Sequence, residues 1–274
     1  MKASVKMKTK CAFLTGAAVL YGVLPQCHAT LTLGSAASFA VLGNTTVTST
    51  GNTVLNGNLG LYPGTSITGF GPGIGTVNGT TYVADTVAQQ AATDALTAYG
   101  LLSSESPTQN PTGPDLGGQT LEPGVYPFTS SAQLTGQLTL DANGDPNAQF
   151  IFQIGSTLTT ANFASVVLEH GAQADNVFWQ VGSSATIGDG SVIYGSIVAD
   201  QSITMDTGAS LGGNALALTG AVTLDDNAIS IEAIPEANPS PVLAIFMALV
   251  GTSSCLGRCW SKKPGTFENG GNAV

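Results

Sequence analysis

The chain has 274 residues, of which 17 are Asp or Glu and 7 are Lys or Arg, for a formal net charge of −10 at pH 7. All seven basic residues lie near the two ends, at Lys2, Lys6, Lys8, Lys10, Arg258, Lys262 and Lys263, and the four cysteines, Cys11, Cys27, Cys255 and Cys259, are partitioned the same way. The long middle therefore has no fixed cation or thiol with which to clamp phosphate, neutralise nucleic acid, form a Schiff base or attack as a thiolate, and most enzyme classes are disfavoured.

At the start, a basic run to Lys10 precedes an apolar stretch from Cys11 to Leu24, and small residues at Cys27 and Ala29 complete the pattern of a secretory signal peptide over residues 1–29. A lipoprotein signal on Cys27 fits less well, because Leu24-Pro25-Gln26 lacks the small residue that normally precedes the lipidated cysteine. Residues 30–233 then form one exported domain, long enough to bury a sizeable core. Its uncompensated carboxylates predict a soluble, monomeric domain without affinity for nucleic acid. Having no cysteine, it must be stabilised by burial and backbone hydrogen bonds.

From Ala84 to Leu102, Val87, Ala91, Ala95, Ala98 and Leu102 recur at helical spacing, with Asp85 or Thr86 as N-cap and Gly100 near the end. The small apolar face of this helix suits close packing on a flat sheet. Residues Ser103 to Gly118, rich in Pro, Gly, Ser and Thr, read as a connection.

Beyond Gln133 the chain repeats imperfectly. Val166-Val167-Leu168, Ala185-Thr186-Ile187, Ile203-Thr204-Met205 and Val222-Thr223-Leu224 recur at spacings of 19, 18 and 19 residues, a period that marks a solenoid coil. A second register relates the segment starting at Phe150 to that starting at Val177. Side chains alternate across a strand, so the outer residues of each triplet point inward and the middle one outward. The resulting outward row is Thr139, Val167, Thr186, Thr204 and Thr223. Coils of this length hold three short strands, giving a mostly β, three-faced solenoid whose corners are turned by Gly and Asn.

No catalytic residue is assigned. Asp189 and Asp206 could in principle act as acid and base on a glycan, but no aromatic cluster accompanies them, and Trp179 reads as core. Asp141, Asn143, Asp145 and Asn147 alternate like a calcium loop, yet Pro146 and the missing distal Glu argue for a plain turn. His170 is the only histidine after residue 29, which precludes a two-histidine metal site. No metal or cofactor is expected.

At the far end, Ile234-Pro235-Glu236-Ala237, an apolar segment from Pro241 to Gly257 and a basic run to Lys263 resemble a PEP-CTERM sorting signal over residues 234–263, followed by a polar tail over 264–274. In that family Pro-Glu-Pro is recognised by a membrane exosortase; here the third position is Ala237. The alternative is a retained membrane anchor over residues 241–257, about 17 residues being at the lower limit for spanning a bilayer and the basic tail obeying the positive-inside rule. Both readings make the domain secreted or displayed at the cell surface.

Several segments together resemble the ice-binding-like domain found in cold-adapted bacteria, fungi and diatoms. They are Leu33-Gly34-Ser35-Ala36 with Phe39-Ala40-Val41-Leu42, Ile67-Thr68-Gly69-Phe70, the helix, Leu121 through Tyr126, Gly144-Asp145-Pro146-Asn147-Ala148, and Gly171 through Gln180. The resemblance covers nearly all of residues 31 to 231. It implies a discontinuous β-solenoid, with N- and C-terminal segments both supplying coils and one long α-helix alongside. It also implies ice as the partner, adsorbed to a flat face rich in Thr and Ser. The family motif of Thr, Ala or Gly, any residue, then Thr or Asn is matched at Thr50-Gly51-Asn52-Thr53 and nearly at Thr207-Gly208-Ala209-Ser210; Asp189-Gly190-Ser191-Val192 departs from it. The candidate ice-binding residues are thus Thr50, Thr53, Thr186, Ser191, Thr204, Thr207, Ser210 and Thr223. The competing reading is an adhesive or matrix protein of the cell surface.

Overall fold

The computed structural model describes residues 31–111 and 113–231; the expected signal peptide, the expected sorting signal and the candidate membrane segment lie outside the described residues. No helix among the described residues is long and apolar enough to cross a membrane.

Short parallel strands stack into three sheets of eight, seven and eight strands. In each coil the chain visits one sheet after another, and every strand pairs with the equivalent strand of the next coil. The inward residues of the repeated triplets, Ala185, Ile187, Ile203, Met205, Val222 and Leu224, are all buried, as alternation requires. Aromatic side chains join them: Trp179 stacks on Phe152 at 4.1 Å between ring centroids, and Phe152 on Tyr126 at 5.4 Å. The indole nitrogen of Trp179 donates to the Tyr194 carbonyl at 3.0 Å, so this buried ring leaves no polar atom unsatisfied.

The solenoid is discontinuous. Strand Phe39–Gly43 pairs with Ala215–Ala217, Thr46–Thr50 with Val222–Asp225, and Val54–Asn56 with Ala228–Ser230, so the N-terminal coils extend the stack beyond the last C-terminal coil. Buried asparagines stitch this seam. Asn214 donates to the Phe39 carbonyl at 2.7 Å and accepts from Ser196 at 2.8 Å, while the backbone N–H of Asn227 donates to Thr53 Oγ1 at 3.2 Å.

Helix α1, Thr86–Ser104, explains how the chain reaches the opposite end of the stack. Its 19 residues span about 28 Å at 1.5 Å each, close to the roughly 34 Å width of an eight-stranded sheet at about 4.8 Å per strand. Asp85 caps it, its carboxylate accepting from the backbone of Val87 and Ala88. The helix lies on the first eight-stranded sheet through Ala88, Ala91, Ala95, Ala98 and Leu102, all buried. Gln153 of that sheet donates to the carbonyls of Leu102 and Glu105, both at 2.8 Å, and Ser35 ties the Gly34–Ser38 turn to Asp94. That sheet is therefore buried on both sides.

Two details of the sequence expectation are corrected. Val87 is 44% exposed and Ala88 takes its place on the packed face; the two residues flank the Ala91–Leu102 stripe at i−4 and i−3, and the sheet covers only the side that Ala88 faces. The helix continues two residues past Leu102 to Ser104, with Gly100 near its end as expected; Pro107 follows soon after and cannot extend it.

Candidate ice-binding face

Among the described residues, no helix lies on the outer side of the seven-stranded sheet. Its central outward register runs Gln133, Thr159, Thr186, Thr204, Thr223, Thr48, Thr68, each paired with the next. Six successive coils therefore present threonine at one position. The four C-terminal threonines are joined across the seam by Thr48 and Thr68 of the N-terminal coils.

A row of hydroxyls, interrupted once by Ala221 between Ser202 and Thr46, flanks this ladder where the strands begin. Ser131 accepts from Thr157 at 2.8 Å, Ser184 from the Ser202 backbone at 3.4 Å, and Ser202 from the Ala221 backbone at 3.2 Å; Thr46 and Ser66 continue it in register. These bonds cross from coil to coil, as side-chain ladders that hold a parallel stack flat must do. On the other flank, where strands end, Thr50 pairs with Asp225.

The expected row of Thr139, Val167, Thr186, Thr204 and Thr223 is corrected by this geometry. Thr186, Thr204 and Thr223 do form consecutive rungs, but Thr139 and Val167 pair with each other in the third sheet, and Thr139 is buried. The real counterpart of Ala185 is Leu158. Between them the coil carries an extra corner, with the Glu169–Ala172 turn and a 3-10 turn at Ala174–Asn176, so the coil is longer than the repeat spacing implied. The match of Val166 to Ala185 was a coincidence of composition.

The other candidates divide by exposure. Thr50 and Thr207 are exposed at the edge of the open sheet. Thr53 is fully buried, its hydroxyl accepting from Ser49 at 2.8 Å, and Ser191 is likewise buried, donating to the Ala161 carbonyl at 2.9 Å. Both precede strands of the third sheet, where the chain dips inward to turn the corner, so neither hydroxyl reaches the surface. Ser210, partly exposed, begins a third-sheet strand and pairs with Val192 and Ala228. The two motif copies are also out of step: Thr53 stacks in register over Asn227 and Ala209, the residues preceding Ala228 and Ser210, not over Ser210 itself. Thr48, Thr68 and Thr159 were missed, although the alternation Thr46-Val47-Thr48-Ser49-Thr50 and the triplet Leu158-Thr159-Thr160 both carry the signal.

The remaining clusters are turns. Asp141 and Asp145 accept from the backbone of Asn143 and Asn147 at 2.8 and 2.9 Å, and His170 Nδ1 lies 2.9 Å from Asp141 Oδ2. Together with Glu169, these two are the metal-ligand types that gather within 4.8 Å among the described residues. The Asn143 backbone and His170 hold Asp141 below its ordinary value. Asp189 exchanges hydrogen bonds with Asn162 at 3.2 Å, fixing adjacent corners.

A three-sided parallel solenoid with a helix along one side and a threonine ladder on an open side defines a surface-adsorption scaffold. A family model described as ice-binding-like matches residues 41–230, and the chain belongs to that family. It is 57% identical over 199 residues to an ice-binding protein of Nostoc sp. (strain HG1), covering 72% of this chain and 73% of that protein. Among solved structures it is similar to an ice-binding protein from an Antarctic biological consortium, at 47% identity and a TM-score of 0.71 over 74% of this chain and 91% of the other. An ice-binding protein of the Antarctic ascomycete Antarctomyces psychrotrophicus is similar at 40% identity and a TM-score of 0.71, over 74% and 98%.

Proposed function

We propose that this protein binds ice, acting by adsorption rather than catalysis through the open face of its seven-stranded sheet. The observation that carries this reading is the threonine ladder from Thr159 to Thr68, uninterrupted over six coils. Its rungs repeat at about 4.7 to 4.9 Å across strands, and alternate residues at roughly 6.6 to 6.8 Å along them. Thr is stiff at χ1 and sets a methyl beside a hydroxyl, so the face can hold water in a fixed array. The described residues contain no Lys or Arg whose long side chain would disturb it.

Adsorption of this kind is indifferent to salt, since no fixed charge pair drives it and Debye screening has little to act on. Purified residues 30–233 are expected to enter a slowly growing ice front at low and high ionic strength alike. Exclusion from the ice at both would overturn the reading.

Export supports the same role. Residues 1–29 act as a secretory signal, and residues 234–263 as a sorting signal processed by an exosortase-type enzyme, with a membrane anchor at 241–257 as the alternative. The protein is thereby secreted or held at the cell surface. Intact-mass measurement of surface material should give a chain beginning near Thr30 and ending near Pro235; survival of Lys263 would favour the retained anchor.

A further inference from the structure

On its strand-end flank the open sheet carries a carboxylate among hydroxyls. Asp225, paired in register with Thr50, divides its two oxygens between threonines of the coils on either side. Oδ1 accepts from Thr50 Oγ1 at 2.5 Å, and Oδ2 accepts from Thr207 Oγ1 at 2.5 Å. Both threonines are exposed, and they come from opposite ends of the chain, so this one carboxylate spans the seam of the discontinuous solenoid.

A threonine hydroxyl has one proton to donate. Spent on a fixed carboxylate in a short, charge-assisted bond, it confines χ1 to a single staggered well and sets the direction of the methyl and the remaining lone pairs. An exposed threonine without such a partner redistributes among wells. At the edge, Thr207 has Asp225, and Thr50 has Asp225 together with the more distant Leu224 carbonyl at 3.5 Å.

We propose that Asp225 is a positioning residue for ice adsorption, fixing the rotamers of Thr50 and Thr207 where they stand at the strand-end edge of the open face, Thr50 in register with Asp225 and Thr207 in the turn after Ile203–Met205. This rests on the ice-binding reading above. The hydroxyl of Thr207, and then that of Thr50, hold the Asp225 carboxyl below its ordinary value, with desolvation opposing them. The other titratable groups about it are Asp206, following the strand of the preceding coil, and Asp226, which accepts from the Asn52 backbone at 2.5 Å. The strand Thr46–Thr50 and the turn after it carry none, and no Lys or Arg stands among the described residues. Because the folded value is depressed, the clamp is intact above the ordinary carboxylate range and is lost as pH falls through the folded value.

The test compares Asp225→Asn, which keeps one acceptor oxygen, and Asp225→Ala, which keeps none, with Asp175→Asn as an exposed control on another corner. Thermal hysteresis is measured at fixed concentration, and the χ1 couplings of Thr50 and Thr207 by NMR without ice. Each released threonine gains access to further staggered wells, so hysteresis should be partly lost in the Asn variant and lost further in the Ala variant. The couplings of the released threonines should become averaged, and the control should match wild type. Wild-type hysteresis should also decline on acidification where that of Asp225→Ala stays flat. Wild-type hysteresis in both Asp225 variants, or reduced hysteresis with unaveraged couplings, would overturn the positioning role while leaving ice binding intact. Absence of hysteresis in the wild type would instead remove the ice reading, and the positioning role with it.

Discussion

Thr204→Tyr removes ice binding and leaves the domain folded. Thr204 sits in the middle of the ladder, with Thr186 on one side and Thr223 on the other, and its side chain points away from the core. A tyrosine there stands above its neighbours and holds an ice lattice off several rungs at once. The cost is functional: a partly exposed substitution of this kind changes stability by within about 0.5 kcal/mol. Val167→Tyr is the matched control, because Val167 lies in the third sheet, paired with Thr139, and should retain full activity. Loss of activity in Val167→Tyr with retention in Thr204→Tyr, read from the faceting of ice crystals, would move the binding face to the third sheet. Thr53→Tyr is uninformative for this purpose, since its site is fully buried and a larger ring would overpack the corner.

Ile203→Asp is expected to unfold the domain or come close to it. Ile203 is fully buried between Ala185 and Val222, in a column without a cation to pair with a new carboxylate. An unpaired charge there costs on the order of 4 kcal/mol or more, a large share of the stability of an ordinary domain. Thr204→Ser, one residue away on the outer face, should cost within about 0.5 kcal/mol. Thermal melts that ranked these two in reverse order would place the inward and outward positions out of register.

The difference between those neighbours was legible in the sequence because period-two alternation in Ile203-Thr204-Met205 needs no knowledge of the rest of the fold. The helix was equally clear, since its alanines recur at helical spacing and Asp85 can cap it; only in the first turn, where Val87 and Ala88 flank the stripe equally, did spacing not decide which one packs. Sheet membership was harder. Val166-Val167-Leu168 has the same alternation as Ala185-Thr186-Ile187, and a short coil spacing separates them, yet the corner at Glu169–Asn176 lengthens that coil and puts the two triplets on different faces. A spacing count cannot see how many residues a corner consumes.

The contribution of Thr48 and Thr68 was hidden for another reason. They meet Thr223 only because the N-terminal coils dock beyond the C-terminal ones, a contact between residues far apart in the chain that no local pattern encodes. The discontinuity itself came from family resemblance, and the helix length matched to the width of the stack is its physical rationale. The burial of Thr53 and Ser191 follows from the same corners: a motif written along the chain crosses from an outer strand into the interior within four residues.

A single ice crystal grown in a solution of purified residues 30–233 reports directly on adsorption, because a molecule bound to particular lattice planes slows their growth and imposes facets. The threonine ladder predicts a faceted crystal that holds its shape below the melting point, with Thr204→Tyr restoring the round disc seen in buffer. A round disc at every concentration of the unmodified domain would contradict ice binding by this face.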